Sequence, residues 1–594
     1  MRLRYIHLQN YPPIKNISVC FSSGSPLERE CEIRFVVGLN GSGKSNLLRA
    51  IAEVFLALTD QRLPPFPVSL VYELGRRNGS THYTFVLDSP GGRANAAMWI
   101  AEGWSWPDDA DEEAFSLAIM RLRHHGEFEK FRYHIARGTW PQDASIALPK
   151  AVLAYTTGDM RPWRSIWSRN EDSEGLDFNE GVNEEVDERP AGWTTATENA
   201  LAAVRGESMA EGSAASLHEM PSTPAYRRPI LLDATLLKCA LLAVTLPQAF
   251  IEMDDSPWRA EVDPEWVKRR RRGDGKSPLQ ELLQRGGWHH LVSVGFRSHL
   301  QIRKWDVALR ETAHDWLVCA GAVIAEPHPT EMRRTLFFDL KGQFNAATLA
   351  TRQSNDLLST CTSQGEALWA LLGGVSVSGF ELFIRLLDLS RAGLFDEVLL
   401  RLRRDSSPVS DPASDEHAGD VGVLRYEELS DGEQMVLGRM ALFHLLESQD
   451  DALLLLDEPE THFNDKWKRE IVDIIDDAIK DTANDVLIST HSAIVLSDVF
   501  NEEIVMLEKG IGGSVARDVS HKTFGGDPGE LMIRVFGASD STGKRAQQFI
   551  ESQLKGANGG PADIARTRAL VEKMGLGFYR SELQTLLNRW TARK

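Results

Sequence analysis

Cysteine is scarce: five residues in 594 (Cys20, Cys31, Cys239, Cys319 and Cys361), with no CxxC pair. An odd, scattered set builds neither a disulfide framework nor a Cys-based zinc site, and it points to a reducing compartment. Long hydrophobic runs are also missing. The longest uncharged stretch in the apolar-rich regions, Ala367 to Phe380 between Glu366 and Glu381, falls short of the ~18 residues a membrane span needs. The N-terminus, MRLRYIHLQNYPP, is charged with no apolar segment behind it, so it does not read as a signal peptide. Basic residues are in deficit, 66 Lys plus Arg against 85 Asp plus Glu, for a formal net charge of -19. Contact with nucleic acid would therefore need a local patch. Together these absences predict a soluble, cytoplasmic protein with no membrane partner.

What is present reads as globular. Hydrophobic residues make up 42% and charged residues 25%, which excludes wholesale disorder. The length predicts two to four packed units at about 100–200 residues each. Much of the acidity is local, since Glu171 to Arg189 holds nine Asp or Glu against one Arg. We read 1–165 as the N-terminal half of an α/β core, 166–224 as an acidic flexible insert and 225–404 as a helical insert domain. A linker follows at 405–422, then the second half of the core at 423–520 and a helical tail at 521–594, a possible docking element for a partner.

The alternation at the start puts Leu3, Tyr5 and His7 on one face of a strand and Arg4, Ile6 and Leu8 on the other. The run Ile33 to Val37 then stops at Gly38, and Leu47, Leu48, Ile51, Phe55 and Leu58 follow at helical spacing. Between strand and helix stands GxxxxGK[ST], comprising Gly38, Leu39, Asn40, Gly41, Ser42, Gly43, Lys44 and Ser45. Glycines at that spacing let backbone N–H groups wrap a phosphate. Lys44 reaches its outer oxygens, and Ser45 can ligate Mg²⁺. Val68 to Leu74 and Thr81 to Leu87 read as an antiparallel flank.

After Tyr426 the α/β pattern returns. The apolar run Leu453 to Leu456 delivers Asp457 and Glu458, placed respectively to hold Mg²⁺ and to act as general base. Val486 to Ser489 is a second apolar strand, with His491 just beyond it. Leu429 to Gln434 (LSDGEQ) precedes a helix predicted from Met435 to Leu446, and Ser430 with Glu433 fits a capping box.

In that order, GLNGSGKS, LSDGEQ, LLLLDEPETHF and ISTHS resemble the ABC-type ATPases. More narrowly, they resemble the branch of SMC, RecF and overcoming-lysogenization-defect proteins. The resemblance implies a P-loop ATPase core, a mostly parallel sheet with an antiparallel flank, split by a largely helical insert. It implies ATP and Mg²⁺, and a homodimer or higher homo-oligomer joined head to tail. There Ser430, Gly432 and Gln434 would meet the γ-phosphate held by the opposite copy, and His491 would sense it. Glu460 and His462 match an E-x-H element in the D-loop region, but Asn464-Asp465 stands where relatives often have His-Pro. Tyr155 to Asp159 is the best Q-loop position, yet it contains no glutamine.

The tail segments Thr523 to Gly526 and Val535 to Gly537 resemble ATPase subunits of Septu-like and restriction-associated anti-phage systems. There a separate nuclease does the cutting, so a partner effector is implied. No nuclease site is evident in this chain: His289-His290 lacks the partners of an HNH site. The dense basic run Lys268, Arg269, Arg270, Arg271 and Arg272 reads either as a DNA or RNA patch or as a solvated loop that pairs with the acidic insert. The five tryptophans of the insert (Trp258, Trp266, Trp288, Trp305 and Trp316) read as core packing. Two other readings are a DNA-repair ATPase and the nucleotide-binding subunit of a transporter. The 385 residues between Ser45 and Ser430 weigh against the transporter.

Overall fold

The computed structural model describes residues 1–171, 228–251, 290–344, 358–403 and 422–592, apart from short stretches at 22–25, 28, 77–82, 92–95, 104–105, 108–109, 125–128, 134–139, 141–147, 300–304, 306, 328–331, 359–360, 375–376, 448 and 511–512. The basic run Lys268 to Arg272, His289 and nearly all of 166–224 and 405–422 lie outside the described residues. The chain divides into two compact units, Met1–Phe524 and Gly525–Lys594.

In the first unit β1 (Arg2–Tyr11), β2 (Ile14–Cys20) and β3 (Glu32–Val37) precede α1 (Lys44–Thr59). Then come β4 (Val68–Leu74), β5 (Tyr83–Ser89), β6 (Ala97–Glu102), α2 (Glu112–His124), β7 (Glu129–Arg132), β8 (Ala151–Thr156) and α3 (Arg161–Glu171). The middle holds β9 (Ile230–Leu231), α4 (Ala234–Ile251), β10 (His290–His299), α5 (Val307–Cys319), β11 (Ala322–Pro327), β12 (Met332–Asp339), α6 (Gln364–Leu371), α7 (Gly379–Arg391) and β13 (Glu397–Arg403). The last part holds β14 (Val423–Arg425), α8 (Asp431–Leu445), β15 (Ala452–Asp457), α9 (Asp465–Ile479), β16 (Asp485–Thr490), α10 (Ala493–Leu496), β17 (Ile504–Gly510) and β18 (Gly513–Arg517).

The central sheet runs β18-β17-β3-β16-β15-β8-β9. It is parallel except for β18. Strands β3, β8, β15 and β16 are buried along their whole length, which is why they read as continuous apolar runs rather than alternating ones. Register aligns Asp457 with Ser489 on one side and Thr156 on the other, and Val37 with Thr490. The chemistry-bearing residues therefore share the carboxyl edge of the sheet, where open α/β sheets bind ligands.

A second, antiparallel sheet runs β2-β1-β4-β5-β6-β7. Helix α1 shares one core with both sheets: Leu47, Ile51 and Phe55 are clustered with Ile6, Leu8 and Leu70 and with Leu453, Leu455 and Leu487. A helix buried on nearly every side is the expected result of that placement. On the outer face α2 packs Phe115, Ile119 and Leu122 against Tyr5, Val71, Val86 and Trp99. Simple alternation in β1 fails at one point. A register shift between Leu3 and Tyr5 in the β1–β4 pairing turns Leu3 toward the side of Ile6 and Leu8, while Tyr5 stacks on Phe115 at 4.9 Å. A bulge of one residue exchanges faces in this way.

The mixed α/β class holds, and helices α4 to α7 make up most of the regular structure described in the insert. Beside them it carries the antiparallel strands β11-β12-β10-β13, a sheet that β14 extends from the second half of the core. Within 225–404, read as helical, the stretch Leu382 to Leu402 divides at Gly393 (φ +80°) into α7 and then β13, where Val398, Leu400 and Leu402 are buried alternately. The period changes from 3.6 to 2 within that run. Trp316 is buried against Phe296, Phe338 and Phe395, and Trp305 is also buried, as core packing requires of these two; Trp258, Trp266 and Trp288 lie outside the described residues. Helix α4 packs on both α7 and α8, which ties the insert to the core.

The second unit is helical: α11 (Pro528–Arg534), α12 (Lys544–Leu554), α13 (Pro561–Lys573) and α14 (Phe578–Ala592). Its small core gathers Ile550, Ile564, Val571, Leu583 and Leu587. Among the described residues no helix is long and apolar enough to cross a membrane.

Candidate functional site

The loop Gly38–Ser45 joins the end of β3 to the start of α1. Gly38 has φ +153°, and a Cβ there would stand 2.2 Å from the carbonyl oxygen of Leu507. Gly43 caps α1 in a left-handed conformation (φ +101°) and lies against Ser514 and Ile14, so a side chain would be strained at either position. No side chain caps α1 and no acidic residue stands in its first turn. The free N–H groups of that turn suit an anion. Leu39, Asn40 and Gly41 are exposed at the loop tip, whereas Ser42 and Lys44 are buried. Lys44 Nζ donates to the carbonyls of Gly38 (2.8 Å) and Leu39 (3.4 Å). Burial lowers its pKa, while the carboxylates of Glu458, Asp457 and Glu460 act the other way.

Asp457 gathers hydroxyls from three elements. Ser45 Oγ donates to Oδ1 at 2.8 Å, Ser489 Oγ to the same oxygen at 2.5 Å, and Thr156 Oγ1 to Oδ2 at 3.1 Å. A hydroxyl and a carboxylate meeting beside a phosphate cradle form the oxygen-donor set that Mg²⁺ takes, so Ser45 and Asp457 could hold that ion. Glu458 follows with φ +54°, its N–H donating to the carbonyl and Oγ of Ser489 at 3.0 and 3.1 Å. Its carboxylate is hydrogen-bonded to His491 Nε2. That bond, before any other influence, holds the Glu458 carboxyl below the usual glutamate range.

Glu460 behaves in the opposite way. It is buried, with Oε1 accepting from Thr490 Oγ1 and Oε2 lacking a partner. Burial raises its pKa. A carboxyl with a raised folded pKa contributes most below its unfolded pKa, and that contribution is lost as pH rises through the folded value. Glu460→Gln is therefore expected to gain thermal stability relative to the parent as pH rises from 5 to 8. A melting-temperature difference that is flat across that range would contradict the burial argument.

At the signature segment, Ser430 Oγ accepts from the N–H of Glu433 while the Glu433 carboxylate accepts from the N–H of Ser430, so the capping box forms. Gln434 Nε2 donates to the Leu429 carbonyl at 2.9 Å. Gly432 lies against the carbonyl of His462, which itself adopts φ +71°. Ser430 is exposed, and among the described residues no hydrogen bond joins Ser430, Gly432 or Gln434 to the Gly38–Ser45 loop.

The structure thus brings together Lys44, Ser45, Asp457, Glu458, Glu460 and His491, and leaves the signature residues on a separate exposed helix start. Sequence reasoning named Thr156 and Thr157 only within the Q-loop position Tyr155 to Asp159, and Ser489 only as the end of a strand, and assigned none of them a role beside Asp457 or Glu458. Thr157 Oγ1 donates to the Glu458 carbonyl at 3.1 Å, and all three stand at or just past the ends of strands that flank β15. The strand register was the signal that could have found them. Among the described residues no group of three or more His, Cys, Asp or Glu could hold a metal ion. The hydroxyl-rich set around Asp457 could hold a cation that phosphate oxygens also coordinate.

Residues 334–498 match a family described as "AAA domain, putative AbiEii toxin, Type IV TA system". Among curated proteins, none matches the chain. The solved structures it is similar to include an Smc head bound to the C-winged helix domain of ScpA, at 12% identity and TM-score 0.30, covering 88% of this chain and 98% of that one. The SMC head domain from Thermotoga maritima matches at 12% identity and TM-score 0.26, covering 88% and 100%. The AAA-type match contains LSDGEQ, Asp457, Glu458 and His491 but not Gly38–Ser45, so the phosphate loop and the AAA-type ATPase domain support a P-loop ATPase core from separate parts of the chain.

Proposed function

We propose that the chain binds ATP in the Gly38–Ser45 cradle, hydrolyses it with Glu458 as general base and His491 as its partner, and works as a head-to-tail homodimer closed around the nucleotide. The observation that carries this reading is the convergence of Ser45, Asp457, Glu458 and His491 at the carboxyl edge of one parallel sheet. Mg²⁺ held by Ser45 and Asp457 would neutralise phosphate charge as the bond to the leaving group breaks. Glu458, kept ionised by His491, accepts the proton of the attacking water. Lys44 and the N–H groups of the loop fix the phosphates, and the signature residues, which among the described residues make no hydrogen bond to their own loop and of which Ser430 is exposed, complete the site of the other copy.

Closing and opening of the dimer would gate a separate effector, a nuclease, or a nucleic-acid transaction in anti-phage defence. The match of residues 334–498 to a family described as "AAA domain, putative AbiEii toxin, Type IV TA system" supports defence over repair or transport. A bulky cation at the exposed signature cap tests the dimer. Ser430→Arg is expected to abolish ATP-dependent dimerisation in light scattering while the affinity of the monomer for ATP stays within about threefold, because Ser430 lies outside its own cradle. Dimerisation at the parent level in this variant would exclude the head-to-tail arrangement.

A further inference from the structure

The loop from Glu458 to Phe463 holds two non-glycine residues in left-handed backbone, Glu458 at φ +54° and His462 at φ +71°. Such conformations persist only where the surroundings impose them. On the side of the sheet the restraints are the bonds from Glu458 N–H to Ser489 and from Thr490 to Glu460. On the other side the restraint is Arg439, in the middle of α8. Its guanidinium is buried between two rings, with centroids 5.1 Å away at Tyr155 and 5.0 Å away at Phe463. Nε donates to the Tyr155 hydroxyl at 3.0 Å and Nη1 to the Thr461 carbonyl at 3.0 Å. The start of the same helix meets the loop again, with Gly432 against the carbonyl of His462.

One side chain thus joins three elements: the helix that begins at Ser430, the loop that carries Glu458, and the end of β8 that carries Thr156. A buried cation that served packing alone could be exchanged for an apolar side chain at little loss. Here Nε and Nη1 are both bonded and two rings stand close to the guanidinium, an arrangement that neither an apolar chain nor a lysine reproduces in full, while Nη2 is buried without a hydrogen-bond partner.

Resting on the ATPase reading above, we propose that Arg439 is a positioning residue that couples the signature helix to the general base. Engagement of Ser430 by the nucleotide of the opposite copy displaces α8 slightly, and Arg439 carries that displacement through Thr461 and Phe463 to the placement of Glu458. Hydrolysis is thereby tied to dimer closure, while nucleotide binding to the cradle is not.

The test is steady-state ATP turnover, affinity for a fluorescent ATP analogue and melting temperature, measured on the full chain. Arg439→Met is expected to lower kcat by about 30-fold while the analogue Kd stays within about threefold, because the loss is one of orientation. Arg439→Lys, which keeps a cation between the rings, is expected to recover part of that loss. Parent-level kcat in Arg439→Met, or a loss of affinity in proportion to kcat, would overturn the coupling. Should Arg439→Met fail to fold, Tyr155→Phe decides, since it removes one hydroxyl and keeps the ring: a fall in kcat of about fivefold at unchanged Kd supports the coupling, and parent-level kcat overturns it. A parent chain without turnover that Glu458→Gln abolishes is a different outcome, and it overturns the ATPase reading together with the coupling.

Discussion

Lys44→Ala is expected to weaken ATP binding by about 100-fold or more, measured by calorimetry or with a fluorescent analogue. The ammonium is buried at the base of α1 and already spends its donors on the Gly38 and Leu39 carbonyls, so it stands inside the loop that would wrap a phosphate. Each charge-assisted hydrogen bond to a phosphate oxygen is worth about 1.5–3 kcal/mol net, and two of them account for a loss of that size. Structure should survive the change. Burial already disfavours the charged form of Lys44, so the folded chain loses an ion that it desolvates at a cost. A large loss of affinity with an unchanged melting temperature is therefore the expected pair of results. Unchanged affinity would mean that Gly38–Ser45 is a glycine-rich turn and no more.

The parts of the fold legible in the sequence share a physical cause. Strands β3, β15 and β16 are covered on both faces, so burial writes continuous apolar runs such as Leu453 to Leu456, and each run ends where the chemistry begins. Helix α8 was legible from its cap, because Ser430 and Glu433 satisfy each other's backbone N–H groups locally. The bulge that separates Leu3 from Tyr5 depends on pairing with β4, some 70 residues on, and local alternation carries no trace of it. The sheet of the insert was missed for a related reason. Glu397–Arg403 directly follows an amphipathic helix, and its leucines continue that helix's spacing by coincidence until Gly393 is known to turn the chain. In the site, the motif residues were legible one by one, but their supports were not. Arg439 and Tyr155 are 284 residues apart in sequence, and only the fold makes them neighbours. Thr156 and Ser489 owe their roles to the register beside Asp457.

Glu458→Gln is the sharper test of mechanism, since it changes one oxygen to nitrogen and leaves the volume intact. Turnover is expected to fall by about 10²- to 10⁴-fold, the range supplied by a positioned base. ATP affinity should hold within about threefold, because the cradle is built by other residues. The ATP-bound dimer should then accumulate, visible as a nucleotide-dependent doubling of mass in light scattering. The pH profile gives an independent check. His491 holds the Glu458 carboxyl below the ordinary range, so the base form persists as pH falls, and the acid limb of kcat should lie below the ~4.3 of a free glutamate. Removing that hydrogen bond with His491→Ala should carry the limb upward, because the desolvation that opposes the bond is left standing. A limb that stays in place when His491 is removed would separate the histidine from the base. Turnover that persists in Glu458→Gln would take the base role from Glu458 altogether, and leave Asp457 and the cradle as a nucleotide-binding site without hydrolysis.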